Sequence, residues 1–186
     1  MSFPSAMLKI EVPAWEDFNP ETSEIILHPG ATLTLEHSLV SLAKWESKYC
    51  RPFMSNDPQT IDESIDYIRF MCLTKNVDPD IFYHIPQSDM NRIVEYINRP
   101  MTATTFSNRE KRVNKRQNVT AEIIYWEMIA LNIPFECQKW HLNRLLTLIH
   151  VCALKQEKPK KMSRKAAMEQ NAALNAARRK RLGSSG

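Results

Sequence analysis

PFECQKWHLNRLLTLIHVCALK, residues Pro134 to Lys155, is the stretch on which the fold class turns. Trp140, Leu142, Leu145, Leu146, Leu148, Ile149, Val151 and Cys152 recur at steps of three and four, and after Pro134 neither Gly nor Pro interrupts them. That spacing predicts one helix. Its apolar arc is wider than the stripe of a surface helix, so the expectation is a buried helix at the centre of the core.

Working outward, Thr120 is an N-cap for a strongly apolar helix from Ala121 to Leu131, carrying Ile123, Ile124, Trp126, Met128 and Ile129. Asn132-Ile133-Pro134 is a short link, so this helix and the organising one should pack as an antiparallel hairpin. Farther upstream, Ser38 caps a helix from Leu39 to Tyr49, which Arg51-Pro52 ends. Thr60-Ile61-Asp62-Glu63 has the form of a capping box, followed by the stripe Ile61, Ile65, Ile68, Met71 and Cys72. Asp78-Pro79 opens a short helical turn through Tyr83, and Ser88 caps a helix from Asp89 to Asn98.

At the N-terminus, Met7 to Val12, Ile25 to His28 and Ala31 to Glu36 alternate apolar and polar residues. With Pro29-Gly30 between the last two, they predict a hairpin and a third strand within about residues 7–36, and Pro13 to Ser23 reads as a loop. The fold class is therefore mainly α: a helical domain over residues 1–155 with a small N-terminal β-hairpin. Residues 156–186 form a basic C-terminal linker and helix, the latter from Arg164 to Leu182 with Ser163 as its cap.

Composition narrows the function. The 186-residue chain is 43% apolar, enough for one sizeable core. Its 3 glycines leave no glycine-rich phosphate loop. Cys50, Cys72, Cys137 and Cys152 all lie in apolar, helical contexts and read as reduced core thiols of a cytosolic protein. The first residues have no signal-peptide pattern, and no run of 18 apolar residues predicts a membrane span.

Chemistry-bearing constellations are few. Cys137 and His141 stand four apart, hence on one face of the predicted helix, with His150 and Cys152 beyond. Such ligands suit zinc, yet nine residues of helix put His150 roughly 13 Å from His141, too far for one tetrahedral ion. Cys137 beside His141 is also the one candidate thiol nucleophile, but no orienting Asp or oxyanion-forming glycine segment accompanies it. The carboxylate pairs Glu16-Asp17, Asp62-Glu63 and Asp62-Asp66 read as a loop and a helix start favoured by the dipole. Trp45, Trp126 and Trp140 fall on predicted core helices, and packing accounts for them better than base stacking.

Charge is unevenly spread. Residues 1–154 hold 15 Lys and Arg against 19 Asp and Glu, whereas residues 155–186 hold 10 against 2. Two basic clusters are the candidate partner-binding residues: Arg109, Lys111, Arg112, Lys115 and Arg116 in an aperiodic stretch, and Arg178, Arg179, Lys180 and Arg181 near the end. Such clusters suit an acidic protein face or nucleic acid, and an exposed solvated segment accounts for them as well.

The segments LEHSLVSLAKWESKYCRPF (Leu35 to Phe53), MTATTF (Met101 to Phe106), IPFECQKWHLNRLLTLIHVC (Ile133 to Cys152) and LNAARRKRLGSSG (Leu174 to Gly186) together resemble a family of tailed-bacteriophage proteins, the tail assembly chaperones. The resemblance implies a non-enzymatic helper, without cofactor or metal, that acts in the host cytoplasm. There it would bind the long helical tape measure protein during tail morphogenesis. Alternatives are a structural or connector component of the virion, contacting neighbouring subunits or its own copies in a homo-oligomer, and a nucleic-acid-binding protein using the basic tail.

Overall fold

A computed structural model describes residues 7–55, 57–106, 119–156 and 164–183. The chain divides into two compact units, Met1–Ala153 and Leu154–Gly186.

In the first unit, strand β1 (Leu8–Val12) pairs antiparallel with β4 (Ala31–Leu35), and β2 (Trp15–Asn19) with β3 (Glu24–His28). Val12 faces Ala31 and Trp15 faces His28, so a single register runs through both ladders. They are successive parts of one long hairpin that turns between Asn19 and Glu24, with Ser23 at positive φ. The interruption falls where the register sets Pro13 opposite Gly30 and Ala14 opposite Pro29, because proline has no N–H to give a ladder.

This arrangement corrects the expectation of a turn at Pro29-Gly30 and of a loop over Pro13 to Ser23. A tight turn there would have left Met7 to Val12 unpaired. Pairing the outer strands instead buries Ile10, Val12, Leu33 and Leu35 on one face. The open edge of β4 is covered: Glu36 N–H donates to Met71 O at 2.9 Å and Leu73 N–H to Thr34 O at 2.8 Å.

Helices α1 (Leu39–Tyr49), α2 (Ile61–Met71), α3 (Gln87–Asn98), α4 (Ala121–Ala130) and α5 (Leu142–Gln156) follow, with 3-10 turns at Pro79–Tyr83 and Phe135–Lys139. The starts of α1 at Ser38, α2 at Thr60, the first 3-10 turn at Asp78 and α4 at Thr120 fall where the capping residues placed them. In the α2 capping box, Glu63 N–H donates to Thr60 Oγ1 at 3.2 Å and Thr60 N–H to Glu63 Oε2 at 2.7 Å. α3 begins ahead of the expected Ser88 cap, because Pro86 presets the helical entry and its carbonyl accepts from Met90 N–H at 3.0 Å.

Pro134 to Lys155 is not one helix. The 3-10 turn ends at Trp140, whose backbone is extended, and α5 starts only at Leu142. A tertiary pairing breaks the periodicity: Ser38 and His141 form an isolated antiparallel bridge, and Leu142 N–H donates to His37 O at 2.9 Å. The first turns of α1 and α5 are thereby clasped side by side. This turn and clasp replace the direct antiparallel hairpin expected of α4 and α5.

The core's centre is also elsewhere. α5 buries one stripe, Leu142, Leu145 and Ile149. Helix α1 joins the two apolar clusters: Leu39 and Leu42 pack with α4, α5 and Ile133, while Trp45 packs with the sheet, α2 and α3. All three side chains are completely buried. In the second unit, helix α6 (Arg164–Leu182) exposes every side chain described on it.

Candidate functional site

The clasp carries the densest group of titratable side chains. His37 and His141 are both buried, their rings edge to face with centroids 5.0 Å apart. His141 Nε2 lies 3.0 Å from the Tyr96 carbonyl, so that nitrogen holds the proton and donates. Its Nδ1 is then an acceptor, buried without a partner. Burial pushes the Tyr67 hydroxyl well above its ordinary pKa, so it keeps its proton and donates to His37 Nδ1 at 2.6 Å. The Tyr96 hydroxyl accepts from His37 N–H at 3.3 Å.

The same burial depresses both imidazoles. His37 falls to about 3, through desolvation first and the neighbouring His141 second, and His141 is lowered by desolvation. These neutral rings tie α1, α2, α3 and α5 together, and their near-complete burial gives them a structural place. The sequence reading had missed His37, Tyr67 and Tyr96 as a group. Only the tertiary bridge brings them to His141.

Cys137 lies in the second 3-10 turn and His141 in the clasp, so the expected shared helix face does not exist. The buried Cys137 thiol is raised by desolvation, with the Glu136 charge adding to it, the opposite of an activated nucleophile. His150 packs edge-on against Phe106. Among the described residues, no group of three or more His, Cys, Asp or Glu side chains is placed to hold a metal ion. Cys50 is corrected from a core thiol to an exposed residue, in the left-handed position that ends α1.

Asp66, expected to decorate a helix start, and Glu46 are buried carboxylates, as are Glu36 and Asp89. Asp66 accepts from Arg69 at 2.9 Å and Tyr49 at 2.5 Å and pairs with Lys48. Glu46 accepts the backbone N–H groups of Phe53 at 2.9 Å and Ala121 at 2.7 Å, capping α4 from across the fold.

The exposed side chains suggest a different use. α4 is apolar on every side yet buries only Ala121, Ile124 and Met128. Opposite these, Trp126 is 66% and Ile129 59% exposed, which corrects the expectation that Trp126 is a core residue. Phe135, 52% exposed, extends the patch by stacking on Tyr125, whose hydroxyl donates to Gln138 Oε1 at 3.0 Å. Glu122 and Glu136 are exposed at its rim, and half-buried Glu127 lies on the flank, its carboxyl raised by desolvation.

A second apolar face is on the hairpin. Directly paired Phe18 and Ile25, with Leu27, are exposed on one side of the distal ribbon. The other side is anchored: Trp15 stacks between His28 and His84, and His28 lies 3.3 Å from Asp17 and 2.9 Å from Asp78.

Of the candidate partner-binding cations, Arg109, Lys111, Arg112, Lys115 and Arg116 lie outside the described residues. Arg178, Arg179 and Arg181 are exposed on α6, which also carries Lys180. No helix among the described residues is long and apolar enough to cross a membrane. No protein-family model, curated protein or solved structure matches this chain.

Proposed function

We propose that this chain is a non-enzymatic binding protein of bacteriophage tail assembly, a chaperone that holds the tape measure protein in the host cytoplasm before the tail tube forms around it. One observation carries the binding role: α4 presents Trp126 and Ile129 to solvent beside Phe135, a contiguous aromatic and aliphatic face of the kind that anchors protein partners. A helical client presents apolar stripes that such a face can cover, which needs no reactive residue. The tape measure protein as client comes from the family resemblance. The C-terminal basic segment serves in this reading as an appendage for acidic client surfaces.

The experiment is a pull-down of the tagged full-length chain from infected cells, alongside mass spectrometry of purified virions. Recovery of the tape measure protein in the pull-down, with the chain missing from finished particles, is the expected result. Fixed stoichiometry in particles would replace this reading with that of a structural or connector subunit.

A further inference from the structure

The outer face of α4 and the exposed helix α6 complement one another, and we propose that α6 of a second copy of this chain docks on the Trp126, Ile129 and Phe135 face, joining copies into a homo-oligomer.

On the acceptor side, Glu122, Trp126 and Ile129 follow at steps of four and three, so they share one face of α4. Glu122, Glu127 and Glu136 form no ion pair among the described residues, whereas Glu63, Asp66, Asp89 and Glu95 each have a Lys or Arg partner. Between Gln117 and Gln138 the chain itself supplies no Lys or Arg, and Lys139, at the end of the turn that carries Glu136, is the first cation after them. The patch is therefore apolar in the middle and negative around it.

On the donor side, Leu174, Arg178, Arg181 and Leu182 fall at steps of four, seven and eight, again one helix face. Leu174 is 51% and Leu182 76% exposed, and Arg178 and Arg181 are exposed between and beside them. Two leucines roughly 12 Å apart along the axis, separated by arginine, match an aromatic face bounded by glutamates. Two copies can each donate and each accept, which closes a dimer. Client and second copy occupy the same α4 face and so exclude one another: the purified chain reads self-association alone, and the pull-down from infected cells reads the client, so either can fail without the other.

Sedimentation equilibrium of the full-length chain, across protein concentration and at low and high salt, tests the proposal. Concentration-dependent association that weakens with salt is expected. Trp126→Ala should weaken it by about thirtyfold or more, as loss of a buried aromatic anchor does. R178E/R179E/R181E should weaken it too, and adding E122K/E136K to that variant should restore it. These side chains are exposed, so the far-UV circular dichroism of every variant should match the parent. A monomer at all concentrations would overturn the proposal, whether α6 is then held by its own body or by another protein. Association indifferent to both sets of changes, or not regained on charge exchange, would overturn it equally.

Discussion

The imidazoles of His37 and His141 meet edge to face at 5.0 Å, with 68° between their planes, inside the one backbone bridge that joins the starts of α1 and α5. Neither ring can be charged there without desolvating a cation beside another imidazole. Folding therefore demands two neutral histidines.

That demand sets an acid limit. The folded His37 titrates at about 3 against an ordinary 6.5, so the unfolded chain binds the extra proton at any pH between the two. Stability is fully present above 6.5 and is lost as pH falls below it. At 1.36 kcal/mol per pKa unit, going from pH 7.5 to 5 should cost about 2 kcal/mol. Urea midpoints at the two pH values measure this, and His37→Gln should flatten the slope. The drop begins above the ordinary carboxylate range, which separates it from protonation of Asp66, whose pKa is lowered by hydrogen bonds from Lys48 and Tyr49 against the opposing effect of burial.

Glu46 is a second point of leverage. Replacing it with Ala would leave the buried N–H of Ala121 and that of Phe53 without acceptors, freeing the N-terminus of α4 from α1. A loss of about 3 kcal/mol is expected in chemical denaturation. An isosteric Glu46→Gln should lose less, since it retains one carbonyl oxygen.

Gly30 is required by space. A Cβ there would lie 2.4 Å from Val12 O and 2.7 Å from Ala14 N, both backbone atoms of the opposing strand. Gly30→Ala must push the strands apart at the interruption of the hairpin. We expect a cost of about 2 kcal/mol or more, and faster amide exchange in β2 and β3 than in α1.

Two tryptophans should answer mutation oppositely. Trp45 is completely buried and donates its indole N–H to Glu63 O at 2.9 Å, so Trp45→Ala should cost about 3 to 5 kcal/mol. Trp126→Ala, on an exposed face, should change monomer stability by no more than about 0.5 kcal/mol. Thermal melts of dilute protein compare them, and iodide should quench Trp126 in the parent far more than Trp45.

Three helix starts were legible because their caps are local: Thr60 and Asp78 accept N–H groups three and two residues on, and the Ser41 hydroxyl bonds the Ser38 backbone, whereas Thr120 marks the start of α4 without a side-chain cap bond and Glu46 supplies the acceptor. What escaped depends on partners distant in the chain. Periodicity ran straight through Trp140 and His141, since a bridge to Ser38 leaves no mark on either segment. Pro29-Gly30 has the composition of a turn and serves as an interruption, because register is decided by which strand lies opposite. Trp126 looked like core because α4 is apolar on all sides, and the sequence cannot say which side faces solvent. The candidate site is the least legible part: its exposed apolar face has the composition of an interior, and five of its nine candidate cations lie outside the described residues.

The clasp has a consequence for how the protein is made. One of its members is residue 38 and the other residue 141, so a chain still emerging from the ribosome cannot seal Leu39, Leu42, Ile124 and Met128 until α5 has been synthesised. Leu39 and Leu42 wait uncovered from their emergence, Ile124 and Met128 join them late, and the danger of aggregation is therefore concentrated near the end of translation. A premature stop before Leu142 would thus yield a sticky fragment and not a smaller working protein.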